Sequence, residues 1–293
     1  MTDELLYTEC LTAMFHSLIK CPLCRAALVA DANGRSLRCE GVGKSHCFDI
    51  AAGGYVNLIS GRASGGDSRE AVRARTAFLE QDHYAPIADA VIEVLQQHGS
   101  LGADATVVDA GCGDGYYLNR LLDRLSCRGL GFDLSKFAVD HAAKTARRKG
   151  FSERCGYAVS SVFDLPLGDG CADAVINLFA PCVEREYDRV LKPGGILVVI
   201  GAGEEHLWEL KQAVYDEVYR NDPRADLPTA LPLVYQRSVE FDVVLNSQTD
   251  IESLFSMTPY YYRTSQEGFD RLHALTRLTT RARAEIYVYR KPL

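Results

Sequence analysis

From Ala105 onward, short apolar runs alternate with amphipathic stretches, and this alternation limits the fold more than any other feature. "ATVVDAGCG" reads as a buried strand entering a glycine turn, and "DGYYLNRLLDRL" as the helix after it. "RGLGFDLS" reads as a second strand ending in an acid, followed by the helix "KFAVDHAAKTARRKG". "CGYAVSSV", "CADAVINLFA" and "GGILVVIGAG" supply three more strands, the last preceded by "EREYDRVLKPGG". Strand–helix repetition at this spacing predicts an α/β fold with a parallel, doubly wound, Rossmann-like sheet. "VEFDVVLNS" and "AEIYVYRKPL" are expected to join its edge as antiparallel strands.

The loop after the first of these strands carries the chemistry. In "VVDAGCGDGYY", Gly111, Gly113 and Gly115 let the backbone turn tightly and approach a ligand without Cβ atoms in the way. A dinucleotide loop calls for G-x-G-x-x-G. Here the spacing is G-x-G-x-G, and Asp109 would repel a pyrophosphate. The arrangement suits the cationic amino-acid end of S-adenosylmethionine (SAM). Asp133 ends the next strand, where a carboxylate can accept both ribose hydroxyls, and Ser161 with the Val162 backbone can meet an adenine edge.

Upstream, Cys21 and Cys24 form a C-x-x-C pair, Cys39 follows, and His46 and Cys47 stand side by side. Three thiols plus one of the last two would make a closed tetrahedral site. A closed site has no position for water, so a zinc ion there would be structural. The segment to about Ile59 is poor in long periodic runs, as a small metal-stapled domain would be. "SGRASGGDS" then reads as a linker, and the next stretch as two helices broken near Asp82–Pro86, the first capped by Ser68. Residues 1–20 read as a short helix.

Composition adds exclusions. No stretch approaches the apolar length of a membrane span, and the acidic start MTDELLYTEC is unlike a signal peptide, so a cytoplasmic location is expected. A net charge of −7 argues against indiscriminate coating of nucleic acid. Residues 20–75 nevertheless hold nine Lys/Arg against five Asp/Glu, and residues 263–291 seven against three. Basic flanks around an acidic middle fit a structured anion held at its edges, or are solvated faces.

The pieces "CPLC", "HCFDIAAGGYVNLI", "GDSREAVRARTAFLEQDHYAPI", "DAGCGDGYY", "GFDLSKFAV", "LFAPC", "RVLKPGGILV", "HLWELK" and "MTPYYYR" occur in this order. From about Cys21 to the C-terminus the chain resembles the 23S ribosomal RNA guanine-N1 methyltransferases, some of which confer macrolide resistance. The resemblance implies a class I SAM-dependent methyltransferase domain behind a small N-terminal zinc-binding domain, a 23S rRNA hairpin as substrate, and a homodimer. It divides the chain into a helical extension (1–20), a zinc-ribbon-like RNA-recognition domain (21–60), a connector (61–104) and the methyltransferase domain (105–293). It also implies Cys21, Cys24, Cys39 and His46 as zinc ligands, with Cys47 kept open by the longer "EGVGKS" spacer. The implied SAM contacts are Asp109, Gly111, Gly113, Asp133 and the Ser161–Val162 turn, together with Asp114, Gly115, Tyr116 and Leu134 in the same loops. Asn177 and Pro181 of "NLFAPC" are candidates for positioning the target base, although Asn177 could equally cap its strand.

Arg75, Tyr84, Tyr260 and Arg263 are candidate RNA contacts; the tyrosine run could instead be a strand with Tyr260 and Tyr262 turned inward. Asp67, His83 or a carbonyl near Phe179–Pro181 could take the proton that leaves guanine N1. Two other functions share some of these features: a small-molecule SAM methyltransferase, and a non-catalytic zinc-ribbon RNA-binding factor.

Overall fold

A computed structural model describes residues 18–41, 43, 45–59 and 65–293. The helix expected over 1–20 thus lies almost wholly outside the described residues, as does much of the expected linker. The head holds a three-stranded antiparallel sheet of β1 (Leu28–Ala30), β2 (Ser36–Cys39) and β3 (Cys47–Asp49).

The main sheet has eight strands. β4 (Val56–Asn57), β7 (Cys155–Val159), β6 (Arg128–Asp133), β5 (Thr106–Ala110), β8 (Ala172–Leu178) and β9 (Leu191–Ala202) run parallel in that order. β11 (Leu278–Arg290) and β10 (Leu233–Leu245) complete the far edge antiparallel, as their sequences suggest. β5 and β7 are buried along their whole length, because a central parallel strand is covered on both faces.

One face is covered by α2 (Ala85–His98), α3 (Tyr116–Arg124), α4 (Lys136–Arg148), α6 (Trp208–Val214) and α7 (Gln248–Ser256). α1 (Arg69–Leu79) packs against α7, with the Ser68 side chain accepting from Ala71 N at 3.2 Å, as its sequence predicts. Asp82, at φ +61°, makes the break before α2.

The other face is covered differently. The crossover from β7 to β8 contains no helix; α5 (Glu184–Val190) follows only after β8. The head supplies the missing cover. Ile19, Leu28, Leu37, Phe48, Val56 and Leu58 share one buried cluster with Val108, Leu130 and Phe132 of the sheet and Leu165 and Leu167 of the crossover. Lys20 N donates to Pro166 O at 2.8 Å, and β4 extends the main sheet. The head is therefore one layer of the methyltransferase body. Sequence patterns suggested a unit held by metal in place of a core; it has a core, borrowed from the sheet.

Candidate methyl-transfer site and metal centre

Cys21 and Cys24 lie in the turn before β1, Cys39 closes β2, and His46 precedes β3. Their ligand atoms all lie within 4.8 Å of one another. His46 Nδ1 is 3.5 Å from Cys21 Sγ and 3.4 Å from Cys39 Sγ. The backbone N–H of His46 donates to Cys39 Sγ at 3.0 Å, and this donor is the main reason the Cys39 thiol is lowered to about 6. A Cβ at Gly41 would stand 3.0 Å from Cys24 Sγ, tighter than side chains usually pack, so a larger residue there would press on the ligand. Cys47 is exposed on β3, where alternation turns it away from its neighbour. Three soft sulfur donors and one imidazole nitrogen at this separation fit tetrahedral zinc.

Above the carboxyl ends of the parallel strands lies a cavity of about 1050 Å³, where open α/β sheets bind ligands. Gly111, Gly113, Asp114, Asp133, Leu134 and Val162 line it. Gly111 has φ +89°, and a Cβ there would approach Ala180 Cβ to 2.6 Å, so only glycine fits. Asp133 accepts from Gly113 N at 3.0 Å and from Ser135 N at 2.8 Å. Asp114 accepts from Thr76 Oγ1 at 2.8 Å.

Asp109 sits beneath this loop, 1% exposed and off the cavity wall, and neither carboxylate oxygen has a hydrogen-bond partner among the described residues. Burial pushes it up to about 8, with Asp133 and Asp114 adding to the rise. Asp133, Asp114 and an Asp109 carboxyl that a nearby cation would ionise thus surround the loop, while Arg75 at its rim is already paired with Asp67. This imbalance favours a cation over a pyrophosphate.

The remaining candidates divide. Gly115 and Tyr116 do not line the cavity: Gly115 caps α3, and Tyr116 OH donates to Asp82 at 3.1 Å. Ser161 stands behind Val162, its Oγ accepting from Phe163 N at 3.2 Å. Pro181 lines the cavity; Asn177 does not. The Asn177 amide donates to Ala110 O at 3.0 Å and Pro181 O at 3.2 Å, binding the ends of β5 and β8 to the following turn. Asn177→Ala is expected to lower stability by about 1–3 kcal/mol in denaturant titration, because buried carbonyls lose their donor. Arg75, Tyr84, Tyr260 and Arg263 all line the cavity. Tyr261–Arg263 form a 3₁₀ turn, not a strand, because Tyr260 is drawn against Tyr215 and Lys211 while Tyr262 stays 73% exposed.

His83 stacks on Phe78, outside the cavity. His206 and Phe179 line it; the sequence names Phe179 only for a backbone carbonyl and His206 not at all. Their side chains are flagged in the sequence through nothing more than the quoted pieces "HLWELK" and "LFAPC".

An acid-ringed glycine loop at the end of the central strand of this sheet selects a sulfonium amino acid, which places the chain among the class I SAM-dependent methyltransferases, here with a zinc ribbon built in. Residues 101–252 match the family model described as "Methyltransferase domain", and residues 19–61 the one described as "RlmA, N-terminal". The chain is 39% identical to a 23S rRNA (guanine(748)-N(1))-methyltransferase of Streptomyces fradiae, over 67% of each chain. It is 38% identical to a Micromonospora griseorubida protein, over 72% of this chain and 74% of that one. A Bacillus subtilis (strain 168) protein is 32% identical over 83% and 86% respectively; both are provisionally named 23S rRNA guanine-N1 methyltransferases. The chain belongs to the 23S rRNA (guanine-N1)-methyltransferase family.

Proposed function

We propose that this protein transfers a methyl group from SAM to N1 of a guanine in a hairpin of 23S rRNA. One observation carries the reading beyond family membership: a single cavity runs from the acid-ringed glycine loop to Tyr84, Tyr260 and Arg263. An aromatic- and arginine-lined chamber beside a SAM loop suits an unstacked base. When bound, SAM supplies an activated methyl group on its sulfonium. Gly111, Gly113, Asp133, Leu134 and Val162 would hold the cofactor, with Asp109 and Asp114 balancing its charge. Cys21, Cys24, Cys39 and His46 would hold zinc away from the reacting atoms.

Guanine N1 must lose its proton as it attacks. Of the acceptors suggested by sequence, His83 lies off the cavity, and among the carbonyls near Phe179–Pro181 that of Pro181 already accepts from Asn177 and from Tyr187 OH at 3.0 Å. Asp67 lines the cavity and is fixed there by Arg75 and by Ser135 Oγ, which donates to its backbone carbonyl at 2.8 Å. We assign it as proton acceptor. Asp67→Asn is expected to lower kcat by about 100-fold or more while KM for RNA moves little.

Arg263 has no ion-pair partner among the described residues. If it meets a phosphate, Arg263→Gln will weaken RNA binding and reduce the salt slope by about one. The reading includes a cytoplasmic homodimer, to be checked by light scattering; no described helix is long and apolar enough to cross a membrane. Incubation with labelled SAM and unmodified 23S rRNA fragments, followed by primer extension, tests the whole. A hairpin without a new stop would overturn it.

A further inference from the structure

Phe179 is held in an uncommon state. Its φ is +50°, a region a bulky side chain rarely adopts, and its N–H donates to Ile200 O at 2.9 Å, so β9 fixes the backbone there. Its ring is nevertheless 43% exposed, on the wall of the cavity. A side chain serving only the core would be buried. One held in the left-handed region and turned to an open chamber needs another explanation.

The rings behind it are fixed. Phe179 lies 5.8 Å from the His206 ring at 35° and 6.4 Å from Tyr84 at 38°, centroid to centroid. His206 Nδ1 is 2.7 Å from Arg283 O, and its Nε2 is 3.3 Å from Tyr84 OH. Each nitrogen therefore has a partner, and burial lowers the imidazole to about 4, so it stays neutral. Tyr84 is 4% exposed and braced edge-on by Phe78 and Phe241. These residues come from α2's cap, the end of β8 and the segment before α6, and together present one exposed aromatic face on a rigid, uncharged backing.

We infer that Phe179, backed by Tyr84 and His206, is the stacking subsite for the target nucleobase, placing its ring edge toward the methyl donor. The inference rests on the RNA-methyltransferase reading and adds the residue that receives the base. It accounts for the strain: relaxing φ would move the ring off the wall.

The test compares Phe179→Ala, Phe179→Leu, Phe179→Tyr and Phe179→Gly in the full zinc-loaded protein. SAM affinity by calorimetry should stay within about twofold of wild type in all four. Methylation of the rRNA fragment should fall about 5- to 150-fold in Phe179→Ala, the range spanned when one base loses an aromatic partner. Phe179→Tyr should restore most of it and Phe179→Leu should not, although leucine fills similar space. Phe179→Gly should melt at the same temperature or higher, because glycine is at ease at this φ, yet be as impaired as Phe179→Ala. An RNA with 2-aminopurine at the target position should be quenched by the wild type and not by Phe179→Leu.

Equal activity of Phe179→Leu and Phe179→Tyr, or parallel loss of SAM affinity, would overturn the subsite and leave the parent reading standing. A wild-type protein that leaves guanine N1 unmethylated overturns both.

Discussion

Removing the zinc, or replacing Cys39 with serine, is expected to weaken SAM binding by about tenfold or more, although no metal ligand lines the cofactor cavity. The path is short and physical. Arg25 follows Cys24 directly, at φ +59°, and its guanidinium donates to Leu165 O at 2.9 Å and pairs with Asp164. These residues belong to the turn that carries Val162 into the cavity. Leu58 N donates to Val159 O at 2.9 Å, tying the head to the last residue of β7.

Zinc binding contributes on the order of 10 kcal/mol to the folding of small zinc domains. Without it the head should loosen, and its share of the common core should become exposed. If about 3–5 kcal/mol of that core is lost, the thermal midpoint falls by about 10 °C. Calorimetric SAM titration and melting after chelation would show both effects. Cys47→Ser is the control: it should keep full zinc and a wild-type midpoint, and loss of zinc in this variant would overturn the ligand set drawn here. A chelated protein with unchanged SAM affinity would overturn the coupling.

Asp109→Asn should move stability and cofactor affinity in opposite directions. The Asp109 carboxyl titrates at about 8 in the fold against an ordinary 3.8, raised by burial first and by Asp133 and Asp114 second. A raised folded-state value means that this group's stabilising contribution is complete below about pH 4 and is lost as pH climbs through about 8. Cofactor-free wild type should therefore melt lower at pH 8 than at pH 5. Asp109→Asn should flatten that part of the slope and melt above wild type at pH 8.

A bound cation favours the ionised carboxylate, so SAM binding near pH 7 should release a proton, read as a dependence of binding enthalpy on the buffer's ionisation enthalpy. The variant should show no such release from this group and should bind SAM about 10- to 100-fold more weakly, the scale of one charged interaction. Equal proton release by wild type and variant would remove Asp109 from the cofactor's charge balance.

Much of this was legible because it is local. The strand–helix alternation after Ala105, the Ser68 cap and the antiparallel C-terminal strands depend on periodicity and on groups a few residues apart. The G-x-G-x-G loop could be read because a backbone turn at Gly111 admits no Cβ. The cysteines and His46 could be read because metal chemistry narrows the residue types, but choosing His46 over Cys47 needed the structure, in which His46 joins the cluster and Cys47 is exposed on β3.

Other features have no local signal. Tyr84 and His206 are 122 residues apart in the chain and meet only because α2 packs on the sheet to which β9 belongs. Asn177 could be read as a base-positioning group or as a strand cap, and the carbonyls that take its amide are ones that only the closed sheet brings near. The head read as a separate bead because no pattern in Cys21–Ile59 announces that the β7–β8 crossover lacks a helix and that this segment must cover the sheet there.

The sequence by itself determined the class of sheet, the glycine loop and the metal donors down to a choice between His46 and Cys47, since backbone conformation and ligand chemistry act through neighbouring residues. Only the tertiary structure decided that the zinc ribbon is a layer of the enzyme, that Asp109 is a buried acid without a hydrogen-bond partner among the described residues, and that Phe179 faces an open chamber on a fixed aromatic backing. Burial, charge balance and orientation are properties of what surrounds a residue, and here those surroundings come from parts of the chain far apart in sequence.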